Sequence, residues 1–206
     1  MARFYTADPH FGHARIIELC DRPFRSVADM NEIILARAWE TVTPDDELWI
    51  LGDLAMGSIE DSLAVASRLP GRKTLVLGNH DRPFSERTQP RRDRAHTMYE
   101  DAGLTIHPEL NVPHTINGQP VLLSHYPYLG DSHSQTDRYA DVRAKDEGLP
   151  IIHGHVHGSW HIRGRQYNVG VDVNNFTPVP ETTIADWLDT LPPTQPHRRN
   201  KPGTTP

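Results

Sequence analysis

The sequence predicts an α/β protein: a mixed sheet, or two packed sheets, with helices outside. Three observations predict it. The first half alternates short apolar runs with stretches of helical spacing. The second half is richer in strand-like runs, which fits a mixed sheet rather than a repeating strand–helix unit. Five of the apolar runs end directly in metal-ligand-type residues, in FYTADPH, LWILGD, TLVLGNHD, VLLSHYP and IIHGHVH. In open α/β sheets ligands gather beyond the carboxyl ends of the strands.

Residues 2–7 read as a first strand, and 14–20 as a short helix. A longer helix is expected over 27–40, with Ile33, Ile34, Ala38 and Trp39 near helical spacing. Pro44-Asp45-Asp46 turns into a strand at 47–51. Ser58 can cap a helix that runs to about Leu69 and stops at Pro70-Gly71. A strand follows at 73–77, then a partly helical stretch over 86–102 interrupted by Pro90. Asn117-Gly118 is a hairpin signal leading into a strand at 120–124. Residues 126–149 are a long polar stretch, expected to be an active-site loop with a short helix. A strand at 150–153 precedes a hairpin of 158–163 with 165–171, turning near Gly164, and 181–191 is a final amphipathic helix. Asp-Arg-Pro-Phe occurs at 21–24 and again at 81–84, but nothing around the copies matches, so no repeat is inferred.

One domain, residues 1–191, is expected, followed by a Pro-rich disordered tail over 192–206, where five of fifteen residues are proline. The net charge of −6 argues against a protein that coats nucleic acid. Thirteen His residues favour metal chemistry, and the single Cys20 excludes both an internal disulfide and a thiolate zinc cage. Cys20 itself reads as a small helix residue. No apolar signal core and no run of eighteen apolar residues is seen, so a cytoplasmic protein without a membrane partner is expected.

The candidate ligands are Asp8, His10, Asp53, Asn79, His125, His155 and His157. Asp8 and His10 are two apart, which on an extended segment points both side chains the same way. His155 and His157 share that spacing and that logic. Gly52, Gly78, Gly154 and Gly158 beside these residues let the backbone come close to a ligand. Imidazole, carboxylate and amide oxygen without thiolate suit Mn, Fe, Zn, Ni or Co and suit Ca poorly. Asp53, alone on its loop, is the best bridging carboxylate. Two divalent ions so held can carry a hydroxide between them and clamp phosphoryl oxygens.

The combination D-x-H (8–10), G-D (52–53), G-N-H-D (78–81), a lone His after a strand (125) and G-H-x-H (154–157) resembles the calcineurin-like metallophosphoesterase superfamily. F-G-H at 11–13 and N-V-G-V-D-V-N-N at 168–175 are similar to small bacterial and bacteriophage members. The resemblance spans about residues 3–175. Ser124 departs from it, standing where many members have Gly before the fourth-motif His. The resemblance implies a β-sandwich flanked by helices. It implies Asp8, His10 and His157 on a first ion, Asp53 bridging, and Asn79, His125 and His155 on a second. Manganese or a mixed iron–manganese pair is the expected content, with zinc, nickel or cobalt compatible. His80 would protonate the leaving oxygen as general acid, and Asp81 would fix its imidazole.

Other candidates carry weaker signals. His13 and Arg15 can touch a substrate phosphate or sit on a solvated helix start. His153 reads as a packing or supporting residue, and Asp172 with Asn174 as loop-structuring. The basic cluster Arg87, Arg91, Arg92 and Arg94 reads as a solvated helix face. Tyr126, Tyr128 and Tyr139 can stack on a base or simply pack. The leading expectation is hydrolysis of small phosphodiesters, nucleotides and 2′,3′-cyclic nucleotides foremost, with no stable nucleic-acid complex and the oligomeric state open. A phosphomonoesterase or protein phosphatase, a nuclease, and last a non-catalytic metal-bound scaffold are the alternatives. A dinucleotide-binding oxidoreductase has no support, since no G-x-G-x-x-G follows the first strand.

Overall fold

The computed structural model describes residues 1–132 and 136–192. The expected tail lies outside the described residues, apart from Pro192. Two five-stranded mixed sheets form the framework. The first contains β1 (Arg3–Thr6), β2 (Glu47–Leu51), β3 (Arg72–Val76), β4 (Leu104–Ile106) and β10 (Val179–Pro180), in the order β10-β1-β2-β3-β4. Only β10 runs antiparallel to its neighbour there. The second contains β5 (Asn111–Ile116), β6 (Gln119–Ser124), β7 (Ile151–His153), β8 (Ile162–Arg163) and β9 (Gln166–Asn168), in the order β5-β6-β7-β9-β8. Strands β6, β7 and β9 are parallel, with antiparallel hairpins at both edges.

The alternation of side chains along the strands builds two cores. Phe4, Leu48, Ile50 and Leu75 face one way, against the helices α1 (Ala14–Leu19), α2 (Val27–Thr41), α3 (Ile59–Ala66) and α5 (Gln89–Asp101). Tyr5, Leu51 and Val76 face the other way, against Val112, Leu123, Ile152 and Tyr167 of the second sheet. The first sheet is therefore covered on both faces, which suits its parallel strands. Helix α6 (Glu181–Asp189) closes one end of the inter-sheet core with Ile184, Trp187 and Leu188. Of the two sheet arrangements left open by the sequence, this one has two sheets. No helix of the described residues is long and apolar enough to cross a membrane.

Local chemistry explains most boundaries. Ser26 caps α2 by accepting from the Asp29 N–H at 3.1 Å. That helix buries Met30, Asn31, Ile34, Leu35 and Ala38, so its apolar stripe is rotated from the expected one and Trp39 is 53% exposed. Asn117 and Gly118 both have positive φ, as a two-residue turn twisted to match its strands requires. Pro90 does not interrupt a helix; it opens α5, where its missing N–H is not needed, after the separate turn α4 (Arg82–Ser85). Ser58 precedes α3 but makes no side-chain cap, and the helix ends at Ala66 rather than Leu69. Strands β4 and β10 were not anticipated, because three and two residues carry too little periodicity to read. The 126–149 stretch holds no helix among its described residues.

Candidate metal centre

All five ligand-bearing segments lie beyond the carboxyl ends of β1, β2, β3, β6 and β7, on one edge of the two sheets. The main chain joins them there. The Asp8 N–H donates to Gly52 C=O and the His10 N–H to Asp53 C=O, each at 3.1 Å. The Gly154 N–H donates to His125 C=O at 3.0 Å, the Ala7 N–H to Val169 C=O at 3.1 Å and the Val171 N–H to Ala7 C=O at 3.0 Å.

Two groupings of side chains here could hold a metal ion. Asp8, His10 and His157 form one, and Asp8, Asp53 and His125 the other. Asp8 is common to both, and Asp53 Oδ2, of the second, lies 3.4 Å from His125 Nε2 and 3.7 Å from His10 Nε2 of the first. Its Oδ1 accepts from the His80 N–H at 2.8 Å. Asn79 Oδ1 is 3.2 Å from His125 Nε2, and the His155 ring lies 5.1 Å from the His125 ring. All seven expected ligands are thus brought to one place, and all are buried.

The site fits cations. Asp8 Oδ1 and both ring nitrogens of His10 are buried without a hydrogen-bond partner. Leaving such atoms unsatisfied costs about 1–3 kcal/mol each, a penalty that coordination to an ion would remove. Hydrogen bonds also select the free nitrogens. Leu51 C=O can only accept, so His125 Nδ1 carries the proton at 2.9 Å and leaves Nε2 facing Asp53 and Asn79. His157 Nδ1 donates to Asp172 Oδ2 at 2.9 Å, which turns its Nε2 inward. His155 Nε2 lies 3.3 Å from the buried carboxylate of Asp131, which leaves Nδ1 for the site.

Backbone geometry is unusual at the same positions. Asp8, His10, Asp53, His155 and His157 all have φ between +47° and +70°. Left-handed backbone at non-glycine residues costs on the order of 1–3 kcal/mol each and collects at functional sites. This overturns the expectation of extended pairs. Asp8 and His10 converge through two left-handed kinks, not through strand alternation. The same kinks part His155 from His157: His157 joins Asp8 and His10, whereas His155 faces His125.

Close approach explains Gly78 and Gly154. A Cβ on Gly78 would stand 2.3 Å from Asp53 Oδ1, and one on Gly154 would stand 2.5 Å from Asp8 Oδ2. Gly158 has open space around its Cα, so its expected clearance is not needed.

The electrostatics follow from burial among like and unlike charges. Burial pushes the Asp8 carboxyl up to about 6 against the pull of His157 and His125. Burial acts on Asp53 too, but the imidazoles of His125, His10 and His80 outweigh it and hold Asp53 well below the usual range. His10 is pushed well down by burial. His157 is raised, because its bond to Asp172 overcomes burial.

Asp81 does not touch the His80 ring, contrary to expectation. It is fully buried and accepts from the N–H groups of Asp53, Leu54 and Gly78 at 2.8–3.0 Å. It therefore staples the β2 and β3 loops together. Burial and the neighbouring Asp53 push it up to about 7. His80 is 43% exposed, with Nε2 3.9 Å from Asp53 Oδ2, and it borders a cavity of about 120 Å³ together with His13, Ser132 and Arg138. Arg15 is exposed on α1 and does not line that cavity.

Several supporting residues carried little or no sequence signal. Arg22 is buried and binds Asp172 through Nε and Nη2, at 2.7 and 2.9 Å. It also donates to the carbonyls of Asp8 and Pro9. It belongs to the first Asp-Arg-Pro-Phe copy, the only hint available. Asp172 thus does more than shape a loop, whereas Asn174 does the expected work, donating to the carbonyls of Asn168 and Gly170. Cys20 lies close to His157 and Asp172, but both Asp172 oxygens already accept from Arg22 or His157. His153 packs on Trp160, as a supporting role requires. Tyr126 and Tyr128 are buried, with Tyr126 against His125 and His155, so these two pack rather than wait for a base. Ser124 accepts from the Tyr126 N–H and donates to Asn111, holding the turn after β6.

No protein-family model matches the chain. A solved structure of the Aquifex aeolicus protein AQ665, of unknown function, superposes with a TM-score of 0.67 at 29% identity, over 90% of this chain and 98% of that one. The Gene 66 protein of Mycobacterium phage L5 is 37% identical over 185 residues, 82% of this chain and 86% of that protein. The Gene 66 protein of Mycobacterium phage D29 is 39% identical over 189 residues, 86% of this chain and 92% of that protein. On that similarity, sustained over most of both lengths, the chain belongs to the family of the mycobacteriophage Gene 66 proteins.

Proposed function

We propose that this chain is a dimetal-dependent phosphoric ester hydrolase of the calcineurin-like type, acting on small phosphodiesters. One observation carries the reading: Asp53 Oδ2 lies within 3.7 Å of imidazole nitrogens from both ligand groupings, the position of a bridging carboxylate. Asp8, His10 and His157 would hold one ion, Asn79, His125 and His155 the other, with Asp53 shared. When bound, two divalent ions activate water and offset phosphoryl charge.

The chain's own residues do the rest. Asp131 and Asp172 hold the outer nitrogens of His155 and His157, so each ring meets its ion in one orientation. Arg138, paired with Asp131 at the cavity wall, offers positive charge to a phosphoryl oxygen. His80 hands a proton from Nε2 to the leaving oxygen. Burial lowers the His80 pKa in the protein alone, so the anionic substrate itself must favour its protonated form. Asp81 keeps His80 in place through the backbone of the β2 and β3 loops.

The test is a panel of phosphomonoester, linear diester and cyclic diester substrates with protein loaded with Mn, Fe, Zn, Ni or Co in turn. Diester turnover that requires metal is expected. A monoester preference of about tenfold or more, equal to about 1.4 kcal/mol of transition-state stabilisation, would turn the reading to a phosphatase. No metal-dependent turnover of any ester would overturn it.

A further inference from the structure

We propose that the groove opening from His80 along α4 and α5 binds a second anionic group, a phosphate carried on the leaving side of the substrate. The inference rests on the hydrolase reading above and names the substrate class more closely.

A concavity of about 460 Å³ begins at Asn79 and His80 and is walled by Arg82, Glu86, Arg87 and Arg91. It continues into a second of about 400 Å³ that shares Arg82, Glu86 and Arg91 and adds Arg94 and Glu60. Four arginines against two glutamates make this surface positive in a chain of net charge −6. The arginines are held loosely. Glu86 lies 3.5 Å from Arg82 Nη1 and 3.9 Å from Arg91 Nη1, beyond hydrogen-bond length. Arg87 makes no ion pair among the described residues. Guanidinium forks of this kind match phosphate oxygens in pairs. Three of the four arginines expected on a solvated helix face, Arg87, Arg91 and Arg94, therefore line this groove, which begins at His80.

Mechanism fixes which part of the substrate enters it. A general acid must lie within hydrogen-bond reach of the leaving oxygen. Whatever that oxygen carries extends on the His80 side, and the groove lies there. A leaving alcohol bearing its own phosphate would span from His80 to Arg87 and Arg91. A diester with an uncharged leaving group would leave these arginines without a partner.

The experiment compares a dinucleoside monophosphate with the same dinucleotide carrying one terminal phosphate, at its 5′ or its 3′ end. Metal-loaded full chain is used, and kcat/KM is measured for each. At least one phosphorylated form should exceed the unphosphorylated one by about tenfold or more. The double variant Arg87→Ala, Arg91→Ala should bring that ratio back to about one. Equal values for all three substrates overturn the groove and leave the hydrolase reading standing. Turnover of none of these, nor of a cyclic diester or a monoester, overturns the hydrolase reading, and in the absence of dinucleotide turnover calorimetry with inorganic tripolyphosphate decides the groove. Binding weakened about tenfold in the double variant supports it, and equal binding overturns it.

Discussion

His157 Nδ1 donates to Asp172 Oδ2 at 2.9 Å, and this bond links the candidate metal centre to the buried ion pair of Asp172 with Arg22. Arg22 holds both oxygens of Asp172 and also the carbonyls of Asp8 and Pro9. Asp172→Asn keeps the shape but weakens the charge behind His157. It should lower metal affinity about 10–100-fold, as loss of a supporting carboxylate does. Competition with a chromogenic chelator measures this. Unchanged affinity would assign Asp172 a purely structural role.

Asp53→Ala should release both ions, because one oxygen faces both ligand groupings. Metal analysis after dialysis should fall from about two equivalents towards none. Two tightly held ions in this variant would rule out the bridge.

His80→Ala should keep its metal and lose about 10²–10⁴-fold in kcat, the usual contribution of an acid catalyst. The loss should be smaller for a nitrophenyl ester, whose leaving group needs no proton. Stripping of metal by this substitution would make His80 a ligand instead.

Far from the site, His114 links the sheets: its Nε2 accepts from Arg3 at 2.9 Å and lies 3.1 Å from the Tyr5 hydroxyl. Burial, then the Arg3 guanidinium, push it down to about 4. The unfolded chain therefore binds more protons than the folded one below about pH 6.5. This stabilisation is fully present above that pH and is lost as pH falls through about 4. Screening of this half-exposed ring limits the effect to ~1 kcal/mol, or about 2–4 °C in Tm. His114→Gln should flatten the fall in Tm between pH 7 and pH 5 by that amount. Parallel curves for the two proteins would show that another group governs it.

The ligand set was legible because its signal is local. An apolar run that ends in Asp, Asn or His marks a strand whose carboxyl end carries a polar group, and five such ends are read without knowing how the strands pair. The Asn117-Gly118 turn was legible for the same reason, since it depends on two residues. Short β4 and β10 were not, because pairing across the chain rather than periodicity makes them strands.

By itself the sequence marked seven candidate ligands at the ends of apolar runs and offered Asp53 as the carboxylate that would bridge. Only the tertiary structure decided how the backbone delivers them. It supplied the left-handed kinks that set His157 beside Asp8 and His10 and turn His155 towards His125, the division the family resemblance implies. It also put Asp81 on three backbone N–H groups rather than on His80. And it set Arg22 against Asp172, 150 residues away. The physical reason is common to all of these. Side-chain direction at the site is set by left-handed kinks and buried bonds between distant segments. Those are sustained by the packed fold and leave no periodic mark on the local sequence.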